Sequence, residues 1–251
     1  MKKCIPKLCV LCFLSTICIG KSFGQEAQND STYLKNMLAQ TVSNFNKSIG
    51  QQSRLYNGAE YQLYDRTIKG TALFPLDAET WELGQVNYDG IFYKDVPMMY
   101  DIYKDVVVVL LYNKFSMYTL LDERVHDFNL SGHHFVRVEA DSLNSRSGIG
   151  TGFYDELYGG KIEVLAKRTK TIQNSTNVTA NLETYFIEKN DYYLRKGNAY
   201  YSVGSQSSFL NVLKDKKKIL QQYIKDNNIK FRKDPEGAMA NIAAYYDTLP
   251  N

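Results

Sequence analysis

The sequence predicts an α+β protein that is mainly antiparallel β. A meander of short strands would form a sandwich or barrel-like body, with an N-terminal helix before it and a helical unit after it. Turn pairs such as Asn57-Gly58, Asp89-Gly90 and Ser131-Gly132 recur about every ten residues, with strand-length apolar runs between them. Helical periodicity is confined to residues 32–49 and to the segment after residue 204. We therefore divide the chain into residues 1–24, 25–54, 55–204 and 205–251.

Residues 1–24 have the pattern of a secretory signal peptide. Lys2 and Lys3 form a basic start, Ile5–Gly20 is mostly apolar, and Ser22-Phe23-Gly24 places small residues where a signal peptidase reads. We expect cleavage before Gln25 and export of the remaining 227 residues. That length is sufficient for one well-buried domain.

Removal of this leader changes the composition of the chain. All four cysteines, at positions 4, 9, 12 and 18, would leave with it. The mature chain would then have no disulfide, no thiol nucleophile and no cysteine-ligated metal. Four of the 30 basic residues leave too, so 26 face 27 acidic residues and the net charge becomes −1. This balance argues against a nucleic-acid partner.

The first predicted helix is Thr32–Ile49, which Asp30 or Ser31 can cap and Gly50 can end. Its apolar stripe comprises Leu34, Met37, Leu38, Thr41, Phe45 and Ile49. We expect this stripe to pack on the β body; a helix that binds a partner is the alternative.

The β body begins after residue 54. Val106–Leu111 is a run of six apolar residues, four of them β-branched, and it predicts a central strand buried on both faces. Ser142–Gly152 and Gln173–Asn181 predict exposed polar loops. The other predicted strands are Glu60–Asp65, Ser116–Leu121, Val125–Leu130, His134–Glu139, Ile162–Lys167, Thr184–Glu188 and Tyr200–Val203.

The chain ends in a predicted unit of two or three helices. Asp234-Pro235-Glu236 combines a capping side chain, a proline suited to the first turn and an acid near the positive end of the helix dipole. Met239, Ile242 and Tyr246 then recur at helical spacing.

Several segments together resemble a group of uncharacterised exported proteins of Bacteroidota. They are QSRLYNGAEY at 52–61, YDIYKDVVV at 100–108, GHHFVR at 132–137, GFYDELYGGK at 152–161, VLAKRTK at 164–170 and FRKDPEGAMANIAAYYDTL at 231–249. The resemblance covers nearly the whole mature chain. It implies a Gram-negative cell envelope, either the periplasm or an outer-membrane-associated site, and it supplies no catalytic residues.

The three histidines lie in one predicted hairpin around Ser131-Gly132. A two-residue turn would place His126 and His133 on one face, and Asp127, Asn129 and His134 on the other. Imidazole ligates metals and titrates near neutrality. The candidates for a metal site or a general-base site are therefore His126, His133, His134 and Asp127, and the sequence does not identify the metal. The alternative is that the rings only fill a half-buried sheet. No cofactor is expected.

The segment Lys214–Lys233 is strongly basic, with a net charge of +6. It contains Lys214, Lys216, Lys217, Lys218, Lys225, Lys230, Arg232 and Lys233. An acidic protein surface or anionic lipid head groups would suit it, whereas a solvated face is the alternative. The 20 tyrosines add a residue type that is common at interfaces and on sugar-binding surfaces, and the alternative is that they pack as half-buried strand residues.

These features predict a non-enzymatic binding or accessory module of the cell envelope that engages a protein or glycan partner. No transmembrane segment is expected in the mature chain. Peripheral contact with an anionic surface is compatible with its basic segment. The alternative is a hydrolase of envelope or other polysaccharides that uses carboxylates or the histidine hairpin.

Overall fold

The computed structural model describes residues 27–49, 54–74, 81–140, 148–176 and 182–250. The predicted leader, and with it every cysteine, lies outside the described residues. The chain forms two compact units, residues 1–38 and 39–251. Within the described ranges, no helix combines the length and the apolar character needed to cross a bilayer.

The described residues contain twelve strands, four α-helices and two 3₁₀ helices of three residues each, Arg54–Tyr56 and Asp122–Arg124. The strands are β1 (Ile68–Lys69), β2 (Leu73–Phe74), β3 (Glu82–Tyr88), β4 (Ile91–Asp101), β5 (Val106–Leu110), β6 (Met117–Thr119), β7 (Val125–Leu130), β8 (His133–Val138), β9 (Gly152–Gly159), β10 (Ile162–Thr176), β11 (Leu182–Lys196) and β12 (Ala199–Ser202). The helices are α1 (Ala27–Ile49), α2 (Gln206–Val212), α3 (Lys217–Asp226) and α4 (Pro235–Thr248).

All twelve strands belong to one sheet. Its order is β1-β11-β10-β9-β8-β7-β3-β4-β5-β6, with β12 beside β11 and β2 beside β4. Only the β1–β11 pair is parallel among the strand pairs described. The predicted α+β, mainly antiparallel class is therefore confirmed.

Two of the predicted turns set the register of the sheet. Asp89-Gly90 and Ser131-Gly132 have positive φ at both positions, 53° and 74° in the first pair and 54° and 79° in the second. These values fit type I′ turns, whose twist matches that of the strands they join. They join β3 to β4 and β7 to β8 as two-residue hairpins.

Several predicted strands differ from the structure. Val107, Val108 and Val109 are fully buried as predicted, but β5 lies next to one end of the sheet order rather than at its centre. Glu60–Asp65 is not a strand, because Glu60 forms only an isolated bridge to Tyr118. The predicted polar loop from Gln173 continues β10 as far as Thr176.

A cluster of aromatic rings shows that the sheet curls strongly. Strands β4 and β9 are separated by three strands, which would put them about 19 Å apart in a flat sheet. Nevertheless, the rings of Tyr100 in β4 and Phe153 in β9 lie 6.1 Å apart. Phe128 and Phe135 stack at 4.7 Å between them. The sheet therefore wraps around its main core.

A second core joins the C-terminal helices to the sheet. Phe209 of α2, Leu220 of α3 and Met239 of α4 pack with Val164 of β10 and Leu194 of β11, and all five side chains are buried. Helix α4 begins as the sequence predicts, since the Asp234 carboxylate accepts from the Gly237 N–H at 2.9 Å. The expectation that Asp215 caps α3 is wrong, because its carboxylate bonds to Lys196 and Tyr246 and the N-cap of α3 is Lys216.

Helix α1 begins at Ala27, five residues before the predicted start. Within residues 39–251, its apolar residue Phe45 is 62% exposed. The prediction that the stripe of α1 packs on the β body is therefore wrong at Phe45, whereas Ile49 is half-buried.

The aromatic cluster should dominate the stability of the β body. Phe128→Ala removes a fully buried ring that contacts Tyr100, Phe135 and Phe153. We expect a loss of about 3–5 kcal/mol in the free energy of unfolding, measured with urea. Phe115→Ala, at an 86% exposed position, is the matched control and should change it by less than about 0.5 kcal/mol. Equal effects of both substitutions would contradict this description of the core.

Candidate functional site

The histidine hairpin has the register that a two-residue turn predicts. Asn129 pairs with His134 and Leu130 with His133. His133 and His134 consequently lie on opposite faces of the sheet. His134 Nδ1 lies 3.0 Å from Asn129 Oδ1, and its Nε2 lies 3.7 Å from Glu156 Oε2 on the outer face.

His126 is not on the face that the sequence predicts. The β3–β7 register shifts between Asn87 and Tyr88, so that Val125 rather than His126 points into the core. This bulge leaves the His126 side chain 81% exposed, with Nδ1 2.8 Å from Asp127 Oδ2. The prediction that the His126 and His133 side chains share one face of the sheet is therefore wrong. Among the described residues, no three His, Cys, Asp or Glu side chains form a group that could hold a metal ion.

His133 belongs to a buried polar network that the sequence did not reveal. Its Nδ1 lies 2.8 Å from Oδ2 of Asp155, a β9 carboxylate that is 1% exposed. Arg168 of β10 donates to the same oxygen through Nε, at 2.8 Å, and through Nη2. The guanidinium also donates to Glu236 of α4 at 3.0 and 2.9 Å, and the Tyr192 hydroxyl donates to Glu236 at 2.9 Å.

This arrangement limits what His133 can do chemically. A carboxylate only accepts hydrogen bonds, so Nδ1 of His133 carries the proton and Nε2 of a neutral ring is the free acceptor. That is the orientation of a general base. However, the same Asp155 oxygen already accepts two hydrogen bonds from Arg168. The network therefore links β8, β9, β10 and α4, as a group of side chains that stabilises the fold does.

A second polar cluster lies where β10 approaches the turn after β4. Asp105, with φ of 62°, accepts from the Tyr100 hydroxyl and from Lys167 Nζ, both at 2.5 Å. Gly152 lies against this pair, and a Cβ at that position would overlap Asp105 Oδ2. Burial, followed by the charge of Asp105, raises the pKa of Asp122 to about 6. Burial lowers the pKa of Lys167.

Tyrosines also contact a second buried carboxylate, that of Asp101. The hydroxyls of Tyr61 and Tyr64 donate to its Oδ2 at 2.9 and 2.7 Å. Its Oδ1 accepts from the backbone N–H groups of Tyr103 and Lys104 at 2.9 and 3.0 Å. The Lys104 ammonium lies over the Tyr61 and Tyr64 rings. Oδ1 of Asp101 thus holds the turn after β4, and Oδ2 connects that turn to Tyr61 and Tyr64.

The basic segment differs from these clusters because its charges are not neutralised. Several lysines and arginines outside this segment are paired with an acid, as Lys167 is with Asp105 at 2.5 Å. In the described part of the chain, none of the eight predicted basic side chains forms an ion pair. Lys216 donates to the Pro250 carbonyl and Lys217 to the Asn211 amide oxygen. Lys214, Lys218, Lys225, Lys230, Arg232 and Lys233 are exposed.

Three of these cations line a groove of about 900 Å³. The groove is lined by residues 204–207, residues 229–233 and Pro235. The 229–233 segment contributes Lys230, Arg232 and Lys233, and its Phe231 is 8% exposed and packs in the second core. Backbone hydrogen bonds from Lys233 and Asp234 to the Lys230 carbonyl, at 2.9 and 3.1 Å, hold this segment in place.

No family model, no curated protein and no solved structure matches this chain. Its function is therefore inferred from its own residues.

Sequence reasoning missed the two residues at the centre of the buried network, Asp155 and Arg168. In β9 the inward-facing Phe153 and Asp155 alternate with neighbours on the other face. A strand predicted there would have placed an acid among apolar core residues, which is the signal for a buried partner. The same alternation in β10 places Arg168 beside it.

The buried network should contribute strongly to stability. Arg168→Met leaves Asp155 buried with only His133 as a partner, so we expect a loss of about 3–5 kcal/mol in the free energy of unfolding at pH 7. The control is Arg195→Met, which breaks the more exposed pair with Glu163 and should cost less than about 1 kcal/mol. Urea unfolding measures both. If both variants lose a similarly small free energy of unfolding, the network does not stabilise the fold.

Asp122 should make stability depend on pH. Because its pKa is raised to about 6 in the folded state, the folded protein binds more protons than the unfolded chain between pH 3.8 and pH 6. The free energy of unfolding therefore falls as pH rises through that window. Asp122→Asn should be more stable than the parent by about 1 kcal/mol above pH 7, allowing for its partial exposure, and this gain should vanish below pH 4.

Glu123→Gln, at the exposed neighbouring residue, is the control for removing one charge and should change stability by less than about 0.5 kcal/mol. Unfolding curves at a series of pH values measure both variants. A gain for Asp122→Asn that is the same at pH 3.5 and pH 7.5 would contradict the raised pKa.

Proposed function

We propose that this chain is a non-enzymatic binding module of the cell envelope that engages an anionic partner through its C-terminal basic groove. The partner class is defined by clustered carboxylates or phosphates, as on an acidic protein segment, an acidic glycan or a lipid head group. The envelope location rests on the signal-peptide pattern of residues 1–24 and remains part of the proposal.

One observation carries this proposal: the eight basic side chains from Lys214 to Lys233 form no ion pair with described residues. Like charges concentrated in one segment repel each other and destabilise the folded chain. The nearby acids are already engaged, since Asp215 bonds to Lys196 and Tyr246, and Asp234 caps α4. The charge is therefore available to a ligand.

The groove supplies the shape for such a ligand. Its volume lies within the range of about 300–1,000 Å³ that is usual for ligand sites. Lys230, Arg232 and Lys233 line it together with Ser205, Gln206 and Ser207, so the lining combines cations with neutral hydrogen-bonding groups. Arg232 can bind a carboxylate or phosphate through two parallel hydrogen bonds.

The alternative function, a polysaccharide hydrolase, would have to use His133. The observation in its favour is the 2.8 Å contact between His133 Nδ1 and Asp155, which leaves Nε2 as a base. Against it, Arg168 compensates Asp155, and His126 and His134 lie elsewhere. Binding is thus the better-supported proposal.

Reversing the charge of the groove should abolish binding. We expect the triple variant Lys230→Glu, Arg232→Glu and Lys233→Glu to lose at least about tenfold in affinity for anionic phospholipid vesicles and for poly-glutamate, because the attraction becomes repulsion. Vesicle co-sedimentation and fluorescence anisotropy measure the two probes separately, and they distinguish a lipid surface from an acidic polypeptide.

The matched control carries the same change in net charge on exposed lysines of the β body: Lys94→Glu, Lys114→Glu and Lys189→Glu. It should retain the affinity of the parent. If both triple variants lose affinity equally, attraction depends on net charge and the groove is not a site. If the parent binds neither probe in 50 mM salt, the proposal is wrong for these classes of partner.

A further inference from the structure

The β10–β11 hairpin extends beyond its neighbour in the sheet. The two strands pair from Ile162 opposite Lys196 to Thr176 opposite Leu182. On its other side β10 pairs with β9 only from Glu163 to Ala166. The last six residues of β10, Thr171–Thr176, are exposed along an edge with no strand partner among the described residues.

The backbone direction identifies which groups this edge presents. The N–H of Lys170 donates to the Ile102 carbonyl at 3.2 Å, and therefore points away from β11. In an antiparallel strand the N–H and C=O of one residue point the same way, and alternate residues point to opposite sides. Ile172, Asn174 and Thr176 therefore direct their backbone groups outward, and none of these groups bonds to a described residue.

This edge lacks the features that normally prevent pairing. Thr171–Thr176 reads TIQNST, without a charge or a proline. Exposed edge strands are usually protected by charged residues, prolines or bulges. The outer edge of β11 has such protection, since Glu188, Lys189 and Asp191 occupy the stretch between its pairings with β1 and β12.

We infer that a second copy of this chain adds to the edge, so that two β10 strands pair antiparallel across a two-fold axis at Asn174. Ile172 of one copy would then face Thr176 of the other, and Asn174 would face Asn174. Each of these three pairs exchanges two backbone hydrogen bonds.

The segment is self-complementary, which favours a second copy over an unrelated strand. The same three residues supply equal numbers of donors and acceptors, as a two-fold interface requires. No charged residue lies within Thr171–Thr176, so no like charges oppose each other in the pairing. This inference goes beyond the anionic partner proposed above and does not depend on it.

A charge placed on the edge should separate the two copies. Ile172→Lys puts a lysine from each copy in the pairing, and we expect dimerisation to weaken at least about tenfold in sedimentation equilibrium of the full chain up to about 0.5 mM. The matched control is Ile187→Lys, which has a similar exposure, 43% against 36%, but lies on β11. Asn174→Pro removes one outward N–H and should have the same effect as Ile172→Lys.

A single cysteine provides a second, independent readout. The four leader cysteines are changed to serine, so that the introduced thiol is unique. Asn174→Cys should form an intermolecular disulfide on oxidation, because directly paired residues have Cα atoms about 5.5 Å apart. Thr184→Cys, the residue opposite Asn174 on β11, is the control; its copies would be about 14 Å apart and should stay reduced.

A dimer that Ile172→Lys and Asn174→Pro both dissociate, with the Asn174→Cys disulfide formed, supports the inference. A parent that is monomeric at 0.5 mM overturns it, as does a dimer that neither substitution weakens. Unchanged circular dichroism and melting temperature show that the variants are folded.

Discussion

The structure depends on the packing of its curled sheet around Tyr100. The ring of this residue contacts Phe128, Phe135 and Phe153, which come from three other strands. Its hydroxyl donates to Asp105, and Asp105 accepts from Lys167 of β10. One side chain thus joins the apolar core to the point where β10 meets the turn after β4. Gly152 leaves the space in which this ion pair lies.

Strand β10 carries the cations that bond the curled sheet to the turn after β4, to β9, to α4 and to β2. Lys167 bonds to Asp105, Arg168 bonds to Asp155 and Glu236, and Lys170 Nζ donates to the Leu73 carbonyl at 2.7 Å. Buried charges are tolerated only when their hydrogen bonds are made, and these are. The contrast with Lys214–Lys233 is informative, because charges that stabilise the fold have partners within it. Those without partners are better explained by a ligand.

Sequence reasoning succeeded where local chemistry determines the outcome. Asp89-Gly90 and Ser131-Gly132 each require positive φ, and each formed the predicted hairpin turn with the expected register. It failed where distant contacts decide. The bulge that exposes His126 reflects the pairing of β7 with β3, 40 residues away, and the burial of Asp155 depends on Arg168 and α4. The extension of β10 through Gln173–Thr176 was missed because polar residues without apolar alternation resemble a loop.

The two proposed contacts of this protein depend on different physics. Attraction to the basic groove is electrostatic, and salt screens it over about 8 Å at physiological ionic strength. Pairing of the β10 edges depends on backbone hydrogen bonds between uncharged residues, and salt has little effect on these. If both contacts form, a dimer would present two basic grooves. An anionic partner with repeated charges could then bind both at once, more tightly than either groove alone would allow. The uncharged β10 edge and the basic groove are thus compatible on one chain, because pairing of the edges does not weaken the electrostatic attraction of the groove for its partner.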